Sequence, residues 1–258
     1  IDPDQNPKDL EAFLDALNDK VEISEDVVVL PGMVADALEA ASPFENVHDK
    51  LLIDATTLVS TDPRSPDEPL EGSYNQPTPA WRQGTKPSVP FGEIEAVRAL
   101  PHVRQARMLR DNMLVVSTSI EGTPSPRTGQ HEGDDAQEGQ RVEQIYQLRN
   151  SIWQLDSEKN LRWLFITNDD LDMTHTKARR RLLWQLTARF DVGRGLTFDE
   201  GRDRLCWDAT TPIPSEEHGV RRWPAVTLHD EKTLAKVASH PELSKYEWPP
   251  HLSFGGPE

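Results

Sequence analysis

One stretch constrains the fold of this chain most strongly: an apolar run that ends in acids, a helix-length segment, and a second apolar run. The first run is Trp163–Asp172, in which Trp-Leu-Phe-Ile is soon followed by three aspartates. Thr174–Phe190 has apolar residues at helical spacing, and Leu205–Pro214 is an apolar run that passes into Asp-Ala-Thr. Strand, acidic turn, helix and strand in this order predict one layer of an α/β fold.

An earlier part of the chain repeats this pattern. Phe13–Glu22 aligns without a gap with Leu182–Asp191. Downstream, Lys50–Thr57 and Arg204–Thr211 both carry an apolar triplet followed by Asp-Ala-Thr-Thr. Two related copies of one supersecondary unit are therefore predicted. The first copy lacks the strand and acidic turn before its helix, so we expect the chain to begin inside a domain.

A proline-rich stretch divides the chain. Residues 58–90 combine many prolines with Ser, Asp, Gly and Thr, which predicts an extended linker without apolar periodicity. The predicted fold class is α/β, with two related α/β units joined by this linker. The units are a partial one at 1–57 and a longer one at 91–230, followed at 231–258 by a short helix and an aromatic, Pro-rich arm.

Apolar spacing also predicts the individual elements. Spacings of three and four indicate helices, and short β-branched or apolar runs indicate strands. The predicted helices are 7–20, 33–41, 91–100, 142–155 and 174–190. The predicted strands are 27–30, 51–56, 103–108, 113–119 and 161–167, the first ending at Pro31-Gly32 and the third and fourth joined by a turn at Asp111-Asn112.

Composition excludes several functional classes. The net charge of −16 argues against nucleic acid and anionic membrane surfaces as partners. Cys206 is the only cysteine and lies in an apolar run, so it is predicted to be a small buried hydrophobe. The sequence has no apolar run of about 18 residues and no basic-then-apolar leader. A cytoplasmic protein is therefore expected.

Several segments of this sequence resemble the carboxy-terminal domain of the UbiD-type decarboxylases, which use prenylated flavin mononucleotide. The strand pair of that domain is similar to Val103–Ser119, and its acidic strand end is similar to Asn168–Asp172. Its helix core resembles Leu183–Asp191, and its closing Gly-Ile-Asp-Ala-Thr segment resembles Leu205–Thr210. In the first copy, Asp26–Gly32 resembles the strand of the family that ends in Pro-Gly.

The resemblance implies a carboxy-terminal part or subunit of a UbiD-like carboxylase or decarboxylase acting on an aromatic or α,β-unsaturated carboxylic acid. In that family, the flavin, the metal and a catalytic Arg with two Glu belong to a middle domain, which has no match in this sequence. We therefore expect no catalytic or cofactor-binding residue in this chain. The flavin site would come from a catalytic UbiD-like chain or a missing region. The complete assembly is expected to be an oligomer that holds prenylated FMN, a divalent metal and, as a further candidate, K+.

Two other functional classes stay open. One is a non-catalytic assembly or interaction subunit whose decarboxylase ancestry is only structural. The other is a small metal-dependent hydrolase, in which oxygen and imidazole ligands hold a cation. Its candidate ligands are Asp169, Asp170, Asp172 and His175. Acids at a strand end also stabilise the positive end of the next helix, and this capping role is the preferred interpretation.

The Asp-Ala-Thr segments carry the remaining candidate residues. Asp54 and Asp208 are candidate general bases, but the Thr two positions after each aspartate favours a turn closed by side-chain hydrogen bonds. Thr211 and Ile213 are candidate edges of a substrate pocket in a neighbouring domain, as the equivalent loop is in the resembling enzymes.

Overall fold

The computed structural model describes residues 9–34, 46–56, 90–120, 135–168, 178–211 and 231–240. These residues have the predicted α/β fold class. The helices are α1 (Leu10–Lys20), α2 (Ile23–Asp26), α3 (Ile94–Arg98), α4 (Asp135–Leu155), α5 (Ala178–Ala188), α6 (Val192–Gly195) and α7 (Glu231–Ala238). The strands are β1 (Val27–Val34), β2 (Val47–Ile53), β3 (Val103–Arg110), β4 (Met113–Thr118), β5 (Trp163–Asn168), β6 (Leu196–Phe198) and β7 (Leu205–Asp208).

The strands form a five-stranded sheet and a separate hairpin. The order in the larger sheet is β3-β4-β5-β7-β6, with β4, β5 and β7 parallel and the two edge strands antiparallel. The predicted turn at Asp111-Asn112 joins β3 to β4 and is confirmed. Strands β1 and β2 pair only with each other among the described residues.

Hydrophobic clusters cover both faces of the five-stranded sheet, as buried parallel strands require. The first cluster, here called the α1–α5 core, contains α1, α5, the inner side of the hairpin and one face of the sheet. The second, the α4 core, contains α3, α4 and the opposite face. The strand residues alternate between them, so that Trp163 and Phe165 lie in the α1–α5 core and Leu164 and Ile166 in the α4 core.

Helix α1 fastens the first copy to the sheet. Its N-cap is Asp9, whose carboxylate accepts hydrogen bonds from the amides of Glu11 and Ala12 at 3.0 and 3.3 Å. Its buried face includes Leu17. At the end of β3, Arg110 binds Glu11 at 3.1 Å. The described residues of the predicted 1–57 and 91–230 units therefore share one core, while the unit boundaries and the linker stay predictions.

Strand β1 differs from its predicted extent. It continues to Val34 instead of ending at Pro31-Gly32, so Met33 does not begin the predicted 33–41 helix, whose residues from 35 onward lie outside the described ranges. The register with β2 shifts between Leu30 and Met33, and Gly32 has φ of 63°. A bulge of this kind accommodates a proline within a strand, because Pro cannot donate to the ladder.

The hairpins of the two copies have the same register. Val27 pairs with Ile53 in the β1–β2 hairpin. At the aligned positions of the β6–β7 hairpin, Leu196 pairs with Trp207. Each hairpin follows a one-turn helix, α2 or α6, and each lies against the α1–α5 core with its inner side. The equivalence of the two copies in sequence thus extends to the pairing of individual residues.

Helix α7 belongs to a separate compact unit, formed by 124–131 and 224–258, of which the structure describes only 231–240. The helices of the described ranges are all too short or too polar to cross a membrane.

Asp199 holds the loop between β6 and β7. Its carboxylate accepts hydrogen bonds from the amides of Asp203 and Arg204 at 2.8 and 3.0 Å, and from Nε of Arg204 at 3.1 Å. Burial raises the pKa of Asp199, but the hydrogen bonds and the charge of Arg204 outweigh this effect and leave the pKa below its ordinary value. The ionised form of Asp199 therefore stabilises the fold.

We predict that Leu17→Ala lowers the free energy of unfolding by about 2–5 kcal/mol, because it leaves a cavity in the α1–α5 core. Leu183→Ala on the exposed side of α5 is the control and should change it by no more than about 0.5 kcal/mol. Chemical denaturation followed by fluorescence and circular dichroism measures both variants. A separate, earlier unfolding transition of α1 in the Leu17→Ala variant would contradict the conclusion that the two copies share one core.

We predict that Asp199→Asn lowers the free energy of unfolding by about 1.5–3 kcal/mol near pH 7, because the bonds to Arg204 lose their charge. The pKa of Asp199 is lowered by folding, so its stabilisation is present above the unfolded value of about 3.9 and is lost as pH falls through the folded value. The difference between the two proteins should therefore narrow below about pH 4. Urea titrations across pH measure it, with the exposed Asp203→Asn as control. A difference that stayed constant with pH would contradict this role.

Candidate functional site

The candidate site lies at the carboxyl edge of the parallel strands. Strands β4 and β5 are neighbours, and the helices that follow them, α4 and α5, pack on opposite faces of the sheet. The chain thus leaves these two strands toward opposite faces. In open α/β sheets, ligands bind in the crevice at such a switch point. The strand ends at this edge are Thr118, Asn168 and Asp208.

Asn168 connects three elements at this edge. Its side-chain oxygen accepts a hydrogen bond from Nη1 of Arg189, at the end of α5, at 2.9 Å. The same oxygen accepts bonds from the amide and the hydroxyl of Thr211 at 2.8 and 3.0 Å. All three residues are buried. The end of β5, the end of α5 and the segment after β7 are therefore held together by one amide group.

A second set of polar contacts connects this edge to α4. Nη1 of Arg141, a buried residue of α4, donates to Oγ1 of Thr210 at 2.7 Å and lies 3.5 Å from a carboxylate oxygen of Asp208. The buried guanidinium is thus neutralised from within the chain, as burial of a charge requires. This contact joins α4 to the end of β7.

The two Asp-Ala-Thr turns have the same geometry. Oδ1 of Asp54 accepts from the amide and the hydroxyl of Thr56 at 3.0 and 2.6 Å. Oδ1 of Asp208 accepts from the same groups of Thr210 at 2.9 and 2.6 Å. The predicted turn-forming role of both aspartates is confirmed. One carboxylate oxygen of each aspartate, Oδ1, is used in the turn, which disfavours the general-base alternative.

The switch point itself is lined by small polar residues. Ser117 of β4 pairs with Thr167 of β5, and both are fully buried. The Thr167 hydroxyl donates to the carbonyl of Val116 at 3.4 Å, whereas Oγ of Ser117 has no hydrogen-bond partner among the described residues. An unpaired buried hydroxyl costs free energy, so this position would gain from a bound water or ligand atom.

Nucleophilic and metal chemistry find little support in the described residues. Burial, with a smaller effect from the nearby Asp208 charge, raises the pKa of the Cys206 thiol, so this thiol stays protonated. Cys206 is thus the buried hydrophobe that the sequence predicts. Within the described ranges, no three His, Cys, Asp or Glu residues are placed to hold a metal ion. The described part of this edge therefore offers no set of three ligands for a metal ion.

The predicted site residues are only partly placed. Thr211 lies at this edge, with its hydroxyl bound to Asn168. Ile213 and the metal candidates Asp169, Asp170, Asp172 and His175 lie outside the described residues. Their roles stay predictions.

The residues that organise the edge were not among those predicted from the sequence; they are Asn168, Arg141 and Arg189. One signal was present for Arg189, which aligns with Lys20 in the repeat and so marks a basic residue at the same helix end. Arg141 carried no such signal, because it meets Asp208 and Thr210 only after the chain has folded.

Comparison with known proteins supports the resemblance seen in the sequence. Residues 1–55 match the family model described as the 3-octaprenyl-4-hydroxybenzoate carboxy-lyase C-terminal domain, which is the UbiD carboxy-terminal domain. The match covers α1, α2, β1 and β2 and ends within the first Asp-Ala-Thr turn. This segment is similar to the UbiD carboxy-terminal domain.

One curated relative is a phenolic acid decarboxylase of Escherichia coli O157:H7, which is 37% identical over 89 residues. The aligned part is 32% of this chain and only 17% of that protein, so the chain spans a small part of its relative.

Two solved structures are similar at low identity. One is an evolved dimeric form of the UbiD-class enzyme HmfF from Pelotomaculum thermopropionicum in complex with prFMN, at 17% identity and a TM-score of 0.29. That match covers 46% of this chain and 24% of HmfF. The other is the Sedimentibacter hydroxybenzoicus vanillic acid decarboxylase in closed form, at 14% identity, a TM-score of 0.33, and 57% and 31% of the two chains.

We predict that Asn168→Ala lowers the free energy of unfolding of this chain by about 1.5–3 kcal/mol, because the buried Arg189 guanidinium loses an acceptor. Asn168→Asp keeps an acceptor and adds a negative charge next to Arg189, so it should lower the free energy of unfolding by less. Thermal and urea unfolding measure both variants. Thr187→Ala is the control, since its exposed hydroxyl bonds to the backbone of its own helix. Equal losses for the two Asn168 variants would contradict the role of the acceptor.

Proposed function

We propose that this chain is a carboxy-terminal part or subunit of a UbiD-like decarboxylase or carboxylase. The observation that carries the proposal is the match of residues 1–55 to the UbiD carboxy-terminal domain. The similarity to a phenolic acid decarboxylase supports an aromatic or α,β-unsaturated carboxylic acid as the substrate class. A cytoplasmic location and an oligomeric assembly belong to the same proposal.

In this proposal the bond-breaking chemistry takes place outside the described residues. At the carboxyl edge, Arg189 donates to Asn168, and Arg141 binds Thr210 and Asp208, while the described part of this edge offers no set of metal ligands. Prenylated FMN, its divalent metal and K+ are therefore assigned to a catalytic UbiD-like chain or domain. No step of the reaction is assigned to this chain.

The role left to this chain is to support and close the substrate pocket of the catalytic partner. Asn168 fixes Thr211 through two hydrogen bonds, so the backbone entering the Thr211–Pro214 segment starts from a rigid point. Ile213 follows two residues later and is proposed to contact the substrate from the edge of the pocket. A side chain at the edge of a pocket can select substrates by shape and exclude water without taking part in proton transfer.

Two alternative functions can be tested on the same purified protein. A non-catalytic assembly subunit is favoured by the pairing of the buried Arg141 guanidinium with Asp208 and Thr210 inside the chain. A metal-dependent hydrolase requires Asp169 and Asp170 to bind a divalent ion, and loss of the bound ion in the Asp169→Asn, Asp170→Asn double variant would support it.

We predict that the native complex, purified through a tag on this chain, has a flavin absorption band and releases CO₂ from a phenolic or acrylic acid. Ile213→Trp should change the ratio of kcat/KM values for a small and a bulky substrate by about tenfold, because one extra contact or clash in a pocket has effects of that size. Absorption spectra and CO₂ release measure both properties.

Thr187→Ala, on the exposed side of α5, is the control for Ile213→Trp and should leave the substrate ratio unchanged. A colourless and inactive heteromer would contradict the enzymatic proposal and support the assembly subunit. An active complex whose substrate ratio ignores Ile213→Trp would contradict the pocket-edge role alone.

A further inference from the structure

The β1–β2 hairpin contacts the second copy through Asp49 of β2. One carboxylate oxygen of Asp49, Oδ1, accepts a hydrogen bond from the amide of Gly32 at 2.8 Å, which holds the bulge of β1. The other oxygen, Oδ2, lies so close to Gly193 of α6 that a Cβ atom there would be only 2.6 Å away. A larger residue at position 193 would displace Asp49. Asp49 therefore connects the bulge of the first copy to α6 of the second.

Asp191 lies beside the same glycine. A Cβ atom on Gly193 would be 3.5 Å from Oδ1 of Asp191, so the carboxylates of Asp191 and Asp49 flank one backbone position. Asp191 is the N-cap of α6, and its Oδ1 accepts a hydrogen bond from the amide of Arg194 at 3.1 Å. Only 7% of Asp191 is exposed. Two acidic side chains from different copies of the repeat thus meet where the hairpin touches α6.

The basic residues near this acidic pair belong to the same two elements. Among the described residues, Arg194 of α6 and His48 of β2 act on Asp191 through their positive charges. Arginine is charged throughout the physiological pH range, whereas histidine side chains ordinarily change their charge between about pH 5 and 8. When the imidazole is neutral, two carboxylates face one guanidinium in the described part of this contact. The contact then carries excess negative charge.

The repeat provides an equivalent pair of acids with a different charge balance. Asp191 and Asp49 align with Glu22 and Asp203. Nη2 of Arg162 binds Glu22 at 3.0 Å, and the charge of Arg162 also interacts with that of Asp203. A permanent cation therefore faces this pair of acids, whereas the basic groups beside the other pair include an imidazole.

The surroundings of Asp191 favour its protonated form. Burial raises the pKa of Asp191, and the charge of Asp49 adds to this effect. The charges of Arg194 and His48 and the bond from the Arg194 amide act in the opposite direction, but the pKa of Asp191 stays above its ordinary value. Protonation of Asp191 therefore adds stability to the fold. This stability is fully present below the unfolded value of about 3.9 and is lost as pH rises through the folded value.

We propose that the contact between the β1–β2 hairpin and α6 is pH-sensitive and tightens in mild acid, when proton uptake by Asp191 and His48 removes the excess negative charge around Gly193. At neutral pH, Asp49 and Asp191 repel each other, so the bulge at Gly32 opens more readily. This property does not depend on the proposed function, because it arises within the described residues of this chain.

The change is expected only in the bulged half of the hairpin. At the other end, Val27 pairs with Ile53, and Val27 belongs to the α1–α5 core. The register shift of the bulge lies farther along, between Leu30 and Met33. Opening of a small, partly exposed segment costs less free energy than unfolding of the core. The pH therefore determines how firmly the bulged half is held while the core stays folded.

Hydrogen exchange of the Gly32 amide, followed by NMR on the full chain, tests the proposal between about pH 5 and 7.5. Each measured rate is compared with the intrinsic rate at the same pH, which gives a protection factor. The protection factor of Gly32 should be at least about threefold greater at pH 5 than at pH 7.5. The amide of Phe165, in the central strand β5, reports unfolding of the core and should change by less.

Two substitutions identify the groups that take up the protons. Asp191→Asn keeps a capping side chain that cannot ionise, and His48→Gln removes the imidazole. Each should reduce the pH dependence at Gly32 to less than about twofold, and the double variant should abolish it.

Asp203→Asn is the matched control, because it removes the acid that is equivalent to Asp49 beside the permanent charge of Arg162. It should leave the pH dependence at Gly32 unchanged. Protection of Gly32 that does not vary with pH, or an equal change at Phe165, would overturn the proposal. A pH dependence that both single variants retain in full would overturn it as well.

Discussion

The rest of this fold depends on the burial of one face of β5, the face that carries Trp163 and Phe165. Trp163 and Phe165 stack with ring centroids 6.3 Å apart, and Phe165 lies 6.0 Å from the ring of Trp207 on β7. Helices α1 and α5 both pack on this apolar surface, so the two copies of the repeat are joined through it. Removing the first copy would expose large aromatic side chains, and this explains why the two share a core rather than folding as separate bodies.

The repeat shows how local sequence can determine geometry independently of surroundings. The Asp54 and Asp208 turns have nearly identical hydrogen bonds, although the first follows a hairpin and the second a buried strand of the larger sheet. In each turn, the aspartate accepts hydrogen bonds from the residue two positions later, so the turn needs no contact with distant parts of the chain. What differs is the environment of the neighbouring side chain, with Leu52 exposed and Cys206 buried.

The sequence predicted the α/β class, the order of most elements, the β3–β4 turn and the role of the Asp-Ala-Thr turns, because each depends on apolar spacing or on contacts within a few residues. It did not predict that β1 continues past Pro31, since the bulge is fixed by the distant Asp49, whose carboxylate accepts from the Gly32 amide at 2.8 Å. The buried contacts of Arg141 and Arg189 were also missed, because they join segments far apart in the chain.

These observations give the two copies different physical roles. In the second copy, Asp208 pairs with the buried charge of Arg141, and Asn168 and Thr210 accept hydrogen bonds from Arg189 and Arg141, so that these contacts tie the strand ends of the carboxyl edge to α4 and to the end of α5. In the first copy, the apolar side chains of Val28, Leu30 and Leu52 are partly exposed. The hydrogen-bonded edge of the second copy can hold other segments in place. The apolar surface of the first copy contributes free energy only when another apolar surface covers it.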